Sequence, residues 1–220
     1  MNIILMGLPG AGKGTQAERI HNTYHLPHIS TGDMFRKAAK EGTELGKKAK
    51  ALMDQGQLVP DDVTNGIVKE RLAEADVKAD GFMLDGYPRT INQAETLETT
   101  LNDLNLDLGG VIYIDVPEAE LKERLTSRVV CSKCKATYNL KFNPPKQEGV
   151  CDHCGSTDFY VRDDDKPEVV ARRIEDTKAL QAPILNFYQE QGKLYKVPGT
   201  GNIDEIFGEI KRILDSETGQ

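Results

Sequence analysis

Two groups of residues in this 220-residue chain could carry chemistry, a glycine-rich segment with one lysine and a set of four cysteines. The glycine-rich segment follows the apolar run at residues 3–6 and contains Gly7, Gly10 and Gly12 before Lys13, which opens a predicted helix. Glycine accepts positive φ and lets the backbone approach a ligand closely, so successive N–H groups can converge on one anion. The helix adds unpaired amides and the positive end of its dipole. This order predicts a phosphate-binding loop (P-loop) rather than a strand-to-helix turn without a ligand.

Lys13 would supply a mobile point charge for the β and γ phosphates of a nucleotide. The generic motif has Ser or Thr directly after the lysine, whereas here Gly14 precedes Thr15, which weakens the case for Mg²⁺ ligation by that hydroxyl. Asp85 ends an apolar run and resembles the carboxylate that holds Mg²⁺ or its waters in P-loop enzymes, with Asp33 as a second outer-shell candidate. The alternatives are a turn or cap residue for Asp85 and a helix N-terminal acid for Asp33.

The four cysteines form two CxxC pairs, Cys131 with Cys134 and Cys151 with Cys154, separated by sixteen residues. This spacing predicts a tetrahedral zinc site with a structural role, because four protein ligands leave no open position. The metal would supply folding energy that about forty residues poor in large apolar side chains lack. The competing interpretations are disulfides, which an intracellular chain disfavours, and a redox CxxC, which needs a strand-to-helix junction. His153 could replace a cysteine as ligand, although a solvated turn residue is the simpler interpretation.

The composition favours a globular protein with a substantial core, since 38% of the residues are hydrophobic. The net charge of −7 argues against a general nucleic-acid binder, whose affinity comes from clustered Lys and Arg. Apolar runs fall short of the roughly 20 residues that span a bilayer, and the N-terminus enters a strand without a basic region or cleavage site. We therefore expect a cytoplasmic protein with no membrane or nucleic-acid partner.

Apolar runs alternate with helical periodicity along most of the chain. Strands are predicted at residues 3–6, 28–30, 82–85, 111–116 and 194–197. Helices are predicted at 13–24, at 91–104, from Pro117 to about Arg128, from Glu168 onward with a kink at Pro183, and at the C-terminus from Ile203 to Leu214. This alternation is typical of a parallel sheet covered on both faces, so we predict an α/β domain. The cysteine-bearing stretch lacks helical periodicity, and we interpret it as an insertion near residues 129–164.

Several arginines follow predicted strands or lie where the insertion joins the main domain. They are Arg36, Arg89, Arg124, Arg128, Arg162 and Arg173. Ligands bind at the carboxyl ends of the strands in an open parallel sheet, so these side chains could converge on phosphates there. The alternative for each arginine alone is a solvated surface position.

Five motifs, in this order, resemble those of adenylate kinases that carry a zinc-containing lid. They are GLPGAGKGT, STGDMFR, LDGYPRT, the four-cysteine insertion, and RDDD followed by ARRI. The resemblance covers essentially the whole chain. It implies a five-stranded parallel sheet with helices on both faces, a core at residues 1–126 and 165–220 that includes an AMP-binding segment at 30–59, and a zinc-binding lid at 127–164. It also implies a monomer that binds ATP, AMP and ADP, with Mg²⁺ accompanying ATP.

The same resemblance implies two nucleotide sites. The ATP site would comprise Gly10, Ala11, Gly12, Lys13, Gly14 and Thr15, with Arg128, Thr137 and Tyr138 from the lid side and the main-chain carbonyl of Gly201, where the family commonly has lysine. The AMP site would comprise Thr31, Arg36, Gln57, Leu58, Val59, Gly86, Tyr87, Pro88, Arg89, Gln93, Arg162 and Arg173. The residues acting on the phosphates during transfer would be Lys13, Arg89, Arg124, Arg128, Arg162 and Arg173, with Mg²⁺ held through water by Asp33 and Asp85. Gln93 would read an adenine edge, and Tyr87 replaces the family's usual phenylalanine.

The implied reaction converts MgATP and AMP reversibly into two ADP by in-line attack of the AMP phosphate on the γ-phosphoryl group. It needs positioning and charge neutralisation rather than a nucleophilic side chain, and a closing lid would exclude water. Three alternatives remain open: a kinase for UMP, CMP or GMP, a nucleotide-dependent switch, and a zinc-ribbon module that binds nucleic acid or a partner. Gln93, Thr31 and the long lid favour AMP. The switch would need a guanine signature (NKxD) that the sequence lacks, and mixed charge near the cysteines disfavours nucleic acid.

Overall fold

The apolar runs predicted as strands form one parallel sheet. In the computed structural model, which describes residues 1–218, its strands are β1 (Asn2–Met6), β2 (His28–Ser30), β3 (Phe82–Asp85), β4 (Gly110–Asp115) and β8 (Leu194–Pro198). They lie in the order β2–β3–β1–β4–β8, and each neighbouring pair is parallel. The prediction of an α/β fold with a five-stranded parallel sheet is confirmed.

Helices connect these strands and cover both faces of the sheet. They are α1 (Lys13–Tyr24), α2 (Thr31–Lys40), α3 (Glu44–Asp54), α4 (Asp61–Leu72), α5 (Ala75–Asp80), α6 (Ile91–Leu104), α7 (Glu118–Thr126), α8 (Pro167–Glu190) and α9 (Ile203–Thr218). Side-chain caps fix two helix starts next to the sheet, because Ser30 accepts a hydrogen bond from the amide of Asp33 and Thr90 accepts one from the amide of Gln93.

Successive residues of β1 face opposite sides of the sheet, and both sides are buried. Ile3 and Leu5 pack into a cluster that contains residues of α1, α7 and α9, whereas Ile4 and Met6 pack into one that contains residues of α4 and α6. This two-sided burial is the reason that β1 reads as a continuous apolar run rather than an alternating one.

A second, smaller sheet lies in the cysteine-bearing stretch, and Cys131 is on its central strand. It is antiparallel, in the order β6–β5–β7, and its strands are β5 (Arg128–Cys131), β6 (Thr137–Asn139) and β7 (Phe159–Tyr160). A 3₁₀ turn at Asp163–Asp165 then leads back to α8. We call residues 127–164 the lid.

Two helices differ from the predictions, and a third contains the proline at which a kink was predicted. The helix opened by Pro117 ends at Thr126, because Arg128 already belongs to β5. Helix α8 continues through Pro183, whose missing amide removes one helical hydrogen bond without ending the helix. The short helix α5 was not predicted, since six residues hold too little periodicity to recognise.

The carboxyl ends of β1, β2 and β3 meet at one edge of the sheet and lead into the segments predicted to act on phosphates. β1 runs into the P-loop, β2 ends at Ser30 before α2, and β3 ends at Asp85. Among residues 1–218, every helix is too short or too polar to cross a lipid bilayer.

Candidate active site

Two glycines with positive φ let the P-loop turn tightly into the start of α1. Gly10 has φ 86° and Gly12, the residue before the helix, has φ 93°, a conformation that side chains other than glycine rarely adopt. A Cβ on Gly10 would also lie 3.0 Å from the carbonyl oxygen of Leu121. Lys13 Nζ lies inside this loop and donates to the carbonyl oxygens of Gly7 at 2.9 Å and Leu8 at 3.2 Å.

Lys13 is the electrostatic centre of the site. Its pKa is lowered to about 8, first by burial and then by the positive charges of Arg89, Arg173 and Arg128, which together outweigh the opposing charge of Asp85. Side chains from the P-loop, β3, the loop after it, the lid and α8 are therefore close enough to influence one ammonium group. An anion placed among them would relieve this repulsion.

Asp85 remains ionised in this environment. Burial alone would raise the pKa of Asp85, yet the hydrogen bond from His28 and the charges of Lys13, His28 and Arg89 hold it below its usual value. His28 Nε2 lies 3.3 Å from Asp85 Oδ2. Sequence reasoning missed His28, because no motif marks it and the register of β2 against β3 is needed to bring the two together.

Two buried acids hold two of the predicted arginines. Asp165, whose side chain is fully buried, accepts from Arg128 Nε at 2.6 Å and Arg128 Nη2 at 2.5 Å, and from Arg173 Nη1 at 3.1 Å. Asp164 pairs with Arg173 Nη2 at 3.0 Å. The sequence showed an acidic run here without an assigned role. Its last two members orient arginines from the lid and from α8.

Arg162 lies in the same region with unused donor capacity. Its Nε is buried and has no hydrogen-bond partner among the described residues. The pKa of Arg162 is lowered to about 10 by burial and by the charges of Arg128 and Arg36, against the opposing charges of Asp164 and Asp33. Because a buried unpaired donor is costly, an anionic ligand is the natural partner.

Asp33 and Arg36 pair on the first turns of α2. Arg36 Nη2 donates to Asp33 Oδ1 at 2.5 Å and Arg36 Nε does so at 3.2 Å. Burial would raise the pKa of Asp33, but the charge and hydrogen bond of Arg36 and the charge of Arg162 lower it. Asp33 therefore stays ionised beside the guanidinium of Arg36.

Arg124 lies elsewhere. Its Nη2 donates to the carbonyl oxygen of Gly199 at 2.8 Å and to Glu120 Oε1 at 2.5 Å, and the guanidinium lies 5.8 Å from the ring centre of Phe142. Gly199 belongs to the turn before α9 that also contains Gly201. Arg124 thus shares its surroundings with the segment predicted to contact adenine.

A concavity between α2, α3 and the loop after β3 collects most of the side chains predicted for AMP. Its lining residues are Thr31, Gly32, Phe35, Met53, Gln57, Leu58, Val59, Thr64, Gly86, Arg89 and Gln93. Thr31 Oγ1 and Arg89 Nε both donate to the carbonyl oxygen of Gly86, at 2.9 Å and 2.7 Å. Burial lowers the pKa of Arg89 to about 10. Tyr87 and Pro88 are buried behind this wall, where Tyr87 donates through its hydroxyl to Asn65 at 2.7 Å.

The four cysteine sulfurs of the lid form one cluster, in which all Sγ atoms lie within 4.8 Å of one another. Cys131 and Cys154 are 3.6 Å apart, and Cys134 and Cys151 are 3.5 Å apart. A tetrahedral ion with sulfur bonds of about 2.3 Å separates its ligands by about 3.8 Å, so the cluster could hold a metal ion. Backbone amides of Cys134 and Lys133 lower the pKa of Cys131, which favours the thiolate that a metal requires.

The two lid residues predicted to approach ATP differ in exposure. Thr137 is exposed on β6, whereas Tyr138 is buried against the cysteine cluster. The Tyr138 hydroxyl lies 3.4 Å from Cys151 Sγ and accepts a hydrogen bond from the amide of Asp152 at 2.8 Å. The phenol therefore contacts the sulfur cluster, which leaves the backbone of β6 as the part that could face a nucleotide.

Comparison with known proteins shows the family to which the chain belongs. A family model described as adenylate kinase matches residues 5–193. The chain belongs to the adenylate kinase family. The adenylate kinase of Enterococcus faecalis is 57% identical over 215 residues, covering 98% of this chain and 99% of that protein. Those of Oceanobacillus iheyensis (57% over 217 residues, 99% and 100%) and Listeria monocytogenes (55% over 216 residues, 98% and 100%) are similar over the same extent. The family resemblance seen in the motifs is confirmed.

Within this adenylate kinase fold the predicted residues fall into three places. Lys13, Asp85, Arg89, Arg128 and Arg173 surround the P-loop, and the concavity described above lies beside Arg89. Arg124 and Gly201 lie at the turn before α9. Sequence reasoning missed the acids that hold these side chains, above all Asp165, since an acidic run on its own signals a solvated surface.

Proposed function

We propose that the chain catalyses reversible phosphoryl transfer from MgATP to AMP, giving two ADP. The observation that carries this proposal is that Arg89 links the P-loop lysine to the concavity. Its charge adds to burial in lowering the pKa of Lys13, and the same residue lines the concavity. A donor phosphate on the P-loop and an acceptor phosphate on Arg89 would thereby face each other. Full-length similarity to proteins named adenylate kinase supports the same activity.

The proposed step is an in-line displacement. A phosphate oxygen of AMP forms a bond to the γ-phosphorus of ATP while the bond from that phosphorus to the β,γ-bridging oxygen breaks, so that both products are ADP. Lys13 and the arginines Arg89, Arg128, Arg162 and Arg173 neutralise charge on the transferring group. The P-loop would position ATP and the concavity would position AMP. Because this positioning brings the reacting atoms together, the transfer needs no nucleophilic side chain.

Asp85 and Asp33 would hold Mg²⁺ through water. Both carboxyl groups have pKa values below their usual range, so both offer the charged oxygen that Mg²⁺ prefers. When bound with ATP, the ion neutralises charge on the β and γ phosphates. The P-loop backbone at residues 10–15 would bind those phosphates directly.

Thr137, Tyr138 and Arg128 would close on ATP from the lid, the first two through the backbone of β6. Arg124 and the main-chain carbonyl of Gly201 would flank the adenine of ATP, which modifies the expectation that Arg124 acts on phosphates. The AMP site would be the concavity together with Arg36, Arg162 and Arg173 as phosphate partners.

The cysteine cluster would hold Zn²⁺ in a structural role, since four thiolate ligands complete its coordination. The metal-stabilised lid would close over both nucleotides and exclude water as a competing acceptor. We further propose that the protein acts as a cytoplasmic monomer, with residues 1–126 and 165–220 as core, 30–59 as AMP-binding segment and 127–164 as lid.

The test follows ADP formation from ATP, Mg²⁺ and one acceptor at a time, namely AMP, GMP, CMP and UMP, with a control that lacks acceptor. We expect two ADP for each AMP consumed, a strong preference for AMP and negligible ATP loss without acceptor. Preference for another monophosphate would show that the chain is a kinase for that nucleotide instead of AMP. ATP hydrolysis without acceptor would contradict the proposal.

A further inference from the structure

The side-chain amide of Gln93 is fixed at the wall of the concavity. Its Oε1 accepts from the amide of Arg89 at 2.7 Å and its Nε2 donates to Asp61 Oδ1 at 2.8 Å, while the residue is 1% exposed. A side-chain amide has two acceptor and two donor positions. One acceptor and one donor position of Gln93 therefore remain for a ligand.

Asp61 is itself held through its second oxygen. Asp61 Oδ2 accepts from Thr90 Oγ1 at 2.8 Å, and that hydroxyl accepts from the amide of Gln93 at 3.2 Å. Asp61 opens α4 and Gln93 lies in the first turn of α6, so the network joins two helix starts. Because the carboxylate is bonded at both oxygens, it cannot turn away from Gln93 without losing both contacts.

This arrangement permits one orientation of the Gln93 amide. A rotation by 180° would point its oxygen at the Asp61 carboxylate and its NH₂ at the amide of Arg89, so two attractive contacts would become repulsive. For a base held in one position, the fixed amide would offer its free acceptor to the amino group of adenine and its free donor to the adjacent ring nitrogen. Guanine carries an oxygen and an N–H at those positions, and it would pair with the rotated amide.

We propose that Asp61 is a specificity-determining positioning residue, which locks the Gln93 amide so that a 6-aminopurine monophosphate is accepted and a 6-oxopurine monophosphate is rejected. The inference rests on the proposed function, in which Gln93 faces the base of the acceptor. A site whose buried polar groups match one base leaves them unpaired with the other, and discrimination of this kind exceeds what apolar contacts supply.

The test replaces Asp61 by asparagine, which keeps the shape and can offer either an oxygen or an NH₂ to Gln93. We expect the ratio of kcat/KM for AMP to that for GMP to fall about tenfold or more, with a rise in kcat/KM for GMP. A purely structural role for Asp61 would lower both rates together and leave their ratio unchanged. The matched control is Asp62→Asn, which removes the same charge from the adjacent, exposed position, and its ratio should stay at the unsubstituted value.

A second variant guards against loss of folding. Thr90→Val removes the hydroxyl that holds Asp61 Oδ2 and should lower the same ratio about threefold. Calorimetric titration with AMP and with GMP gives the ratio of the two affinities without turnover, and thermal melting checks that each variant is folded. A folded Asp61→Asn variant with an unchanged ratio would overturn the inference. Failure of the unsubstituted protein to phosphorylate AMP would overturn the proposed function instead.

Discussion

The parallel sheet and the lid differ in the size of their apolar clusters, so we expect different chemistry to stabilise them. Fully buried apolar side chains such as Phe82 and Leu84 fill the sheet, with helices on both faces. The lid has a small cluster built around Cys131, Cys151 and Tyr138. Apolar burial contributes about 25 cal/mol per Å², so the sheet can fold on that contribution, whereas the lid should depend on the metal ligation proposed for its cysteines. The two regions should therefore fail under different conditions.

The proposed phosphate site draws on both regions. Lys13 comes from the core and Arg128 from the first lid strand, and Asp165 at the lid boundary holds Arg128 in place. Activity should therefore require both apolar burial in the core and metal ligation in the lid, whereas folding of the core should require apolar burial alone. Substitutions that separate folding from function test this comparison.

The largest effect should follow Lys13→Met in the core. We expect kcat/KM for MgATP to fall about 10³-fold, because the transferring phosphoryl group loses its nearest point charge. The melting temperature should hold or rise, since a desolvated cation is removed. A coupled assay of ADP formation measures kcat/KM, and thermal melting measures the stability. Near-normal turnover would contradict the assignment of Lys13 to the active site.

The next effect concerns stability alone. Ile210→Ala on α9 should lower the free energy of unfolding by about 2–5 kcal/mol, because it opens a cavity in the core cluster. Phe159→Ala, in the lid cluster, should leave the urea midpoint of the core unchanged. Arg212→Ala, an exposed position on α9, serves as control with a change below about 0.5 kcal/mol. Equal shifts for Ile210 and Phe159 would contradict separate stabilisation of the two regions.

The pKa of Lys13 predicts opposite pH trends for nucleotide affinity and for stability. Its folded value of about 8 lies below the ordinary 10.5, so the charge that binds phosphate is present below pH 8 and is lost as the pH rises. Affinity of the free enzyme for ATP should fall up to about tenfold per pH unit above that value. Between pH 8 and 10.5 the unfolded chain binds the extra proton, and the contribution of this group to stability should rise with pH. Calorimetric titration from pH 7 to 10 tests the first trend, and flat affinity would contradict it.

The smallest effect is expected at Arg124. Because it contacts Gly199 and Phe142 rather than the P-loop, Arg124→Ala should raise KM for ATP about fivefold with kcat retained. Steady-state kinetics with varied ATP separate the two parameters. An equal fall in kcat and kcat/KM would instead indicate that Arg124 acts on the transferring phosphate.

Strongly patterned segments could be predicted from the sequence, and contacts between distant segments could not. The limits of α6 and the P-loop context of Lys13 follow from local periodicity and spacing, and the cysteine cluster follows from the two CxxC pairs. The lid strands are two to four residues long and lie among turns, so no alternation marks them. Partners such as Asp165 for Arg128 and Asp61 for Gln93 lie 37 and 32 residues apart, and the fold alone brings them together.

The central claim, that phosphoryl transfer needs a metal-held lid on an independently stable core, is tested most directly by removing the metal. A zinc-selective chelator should abolish hydrogen-exchange protection at residues 127–164 and lower ADP formation from ATP and AMP at least about tenfold. Protection of the five-stranded sheet should persist, and added Zn²⁺ should restore both lid protection and activity. Loss of protection in the sheet together with the lid, or full activity after the metal is removed, would contradict the account.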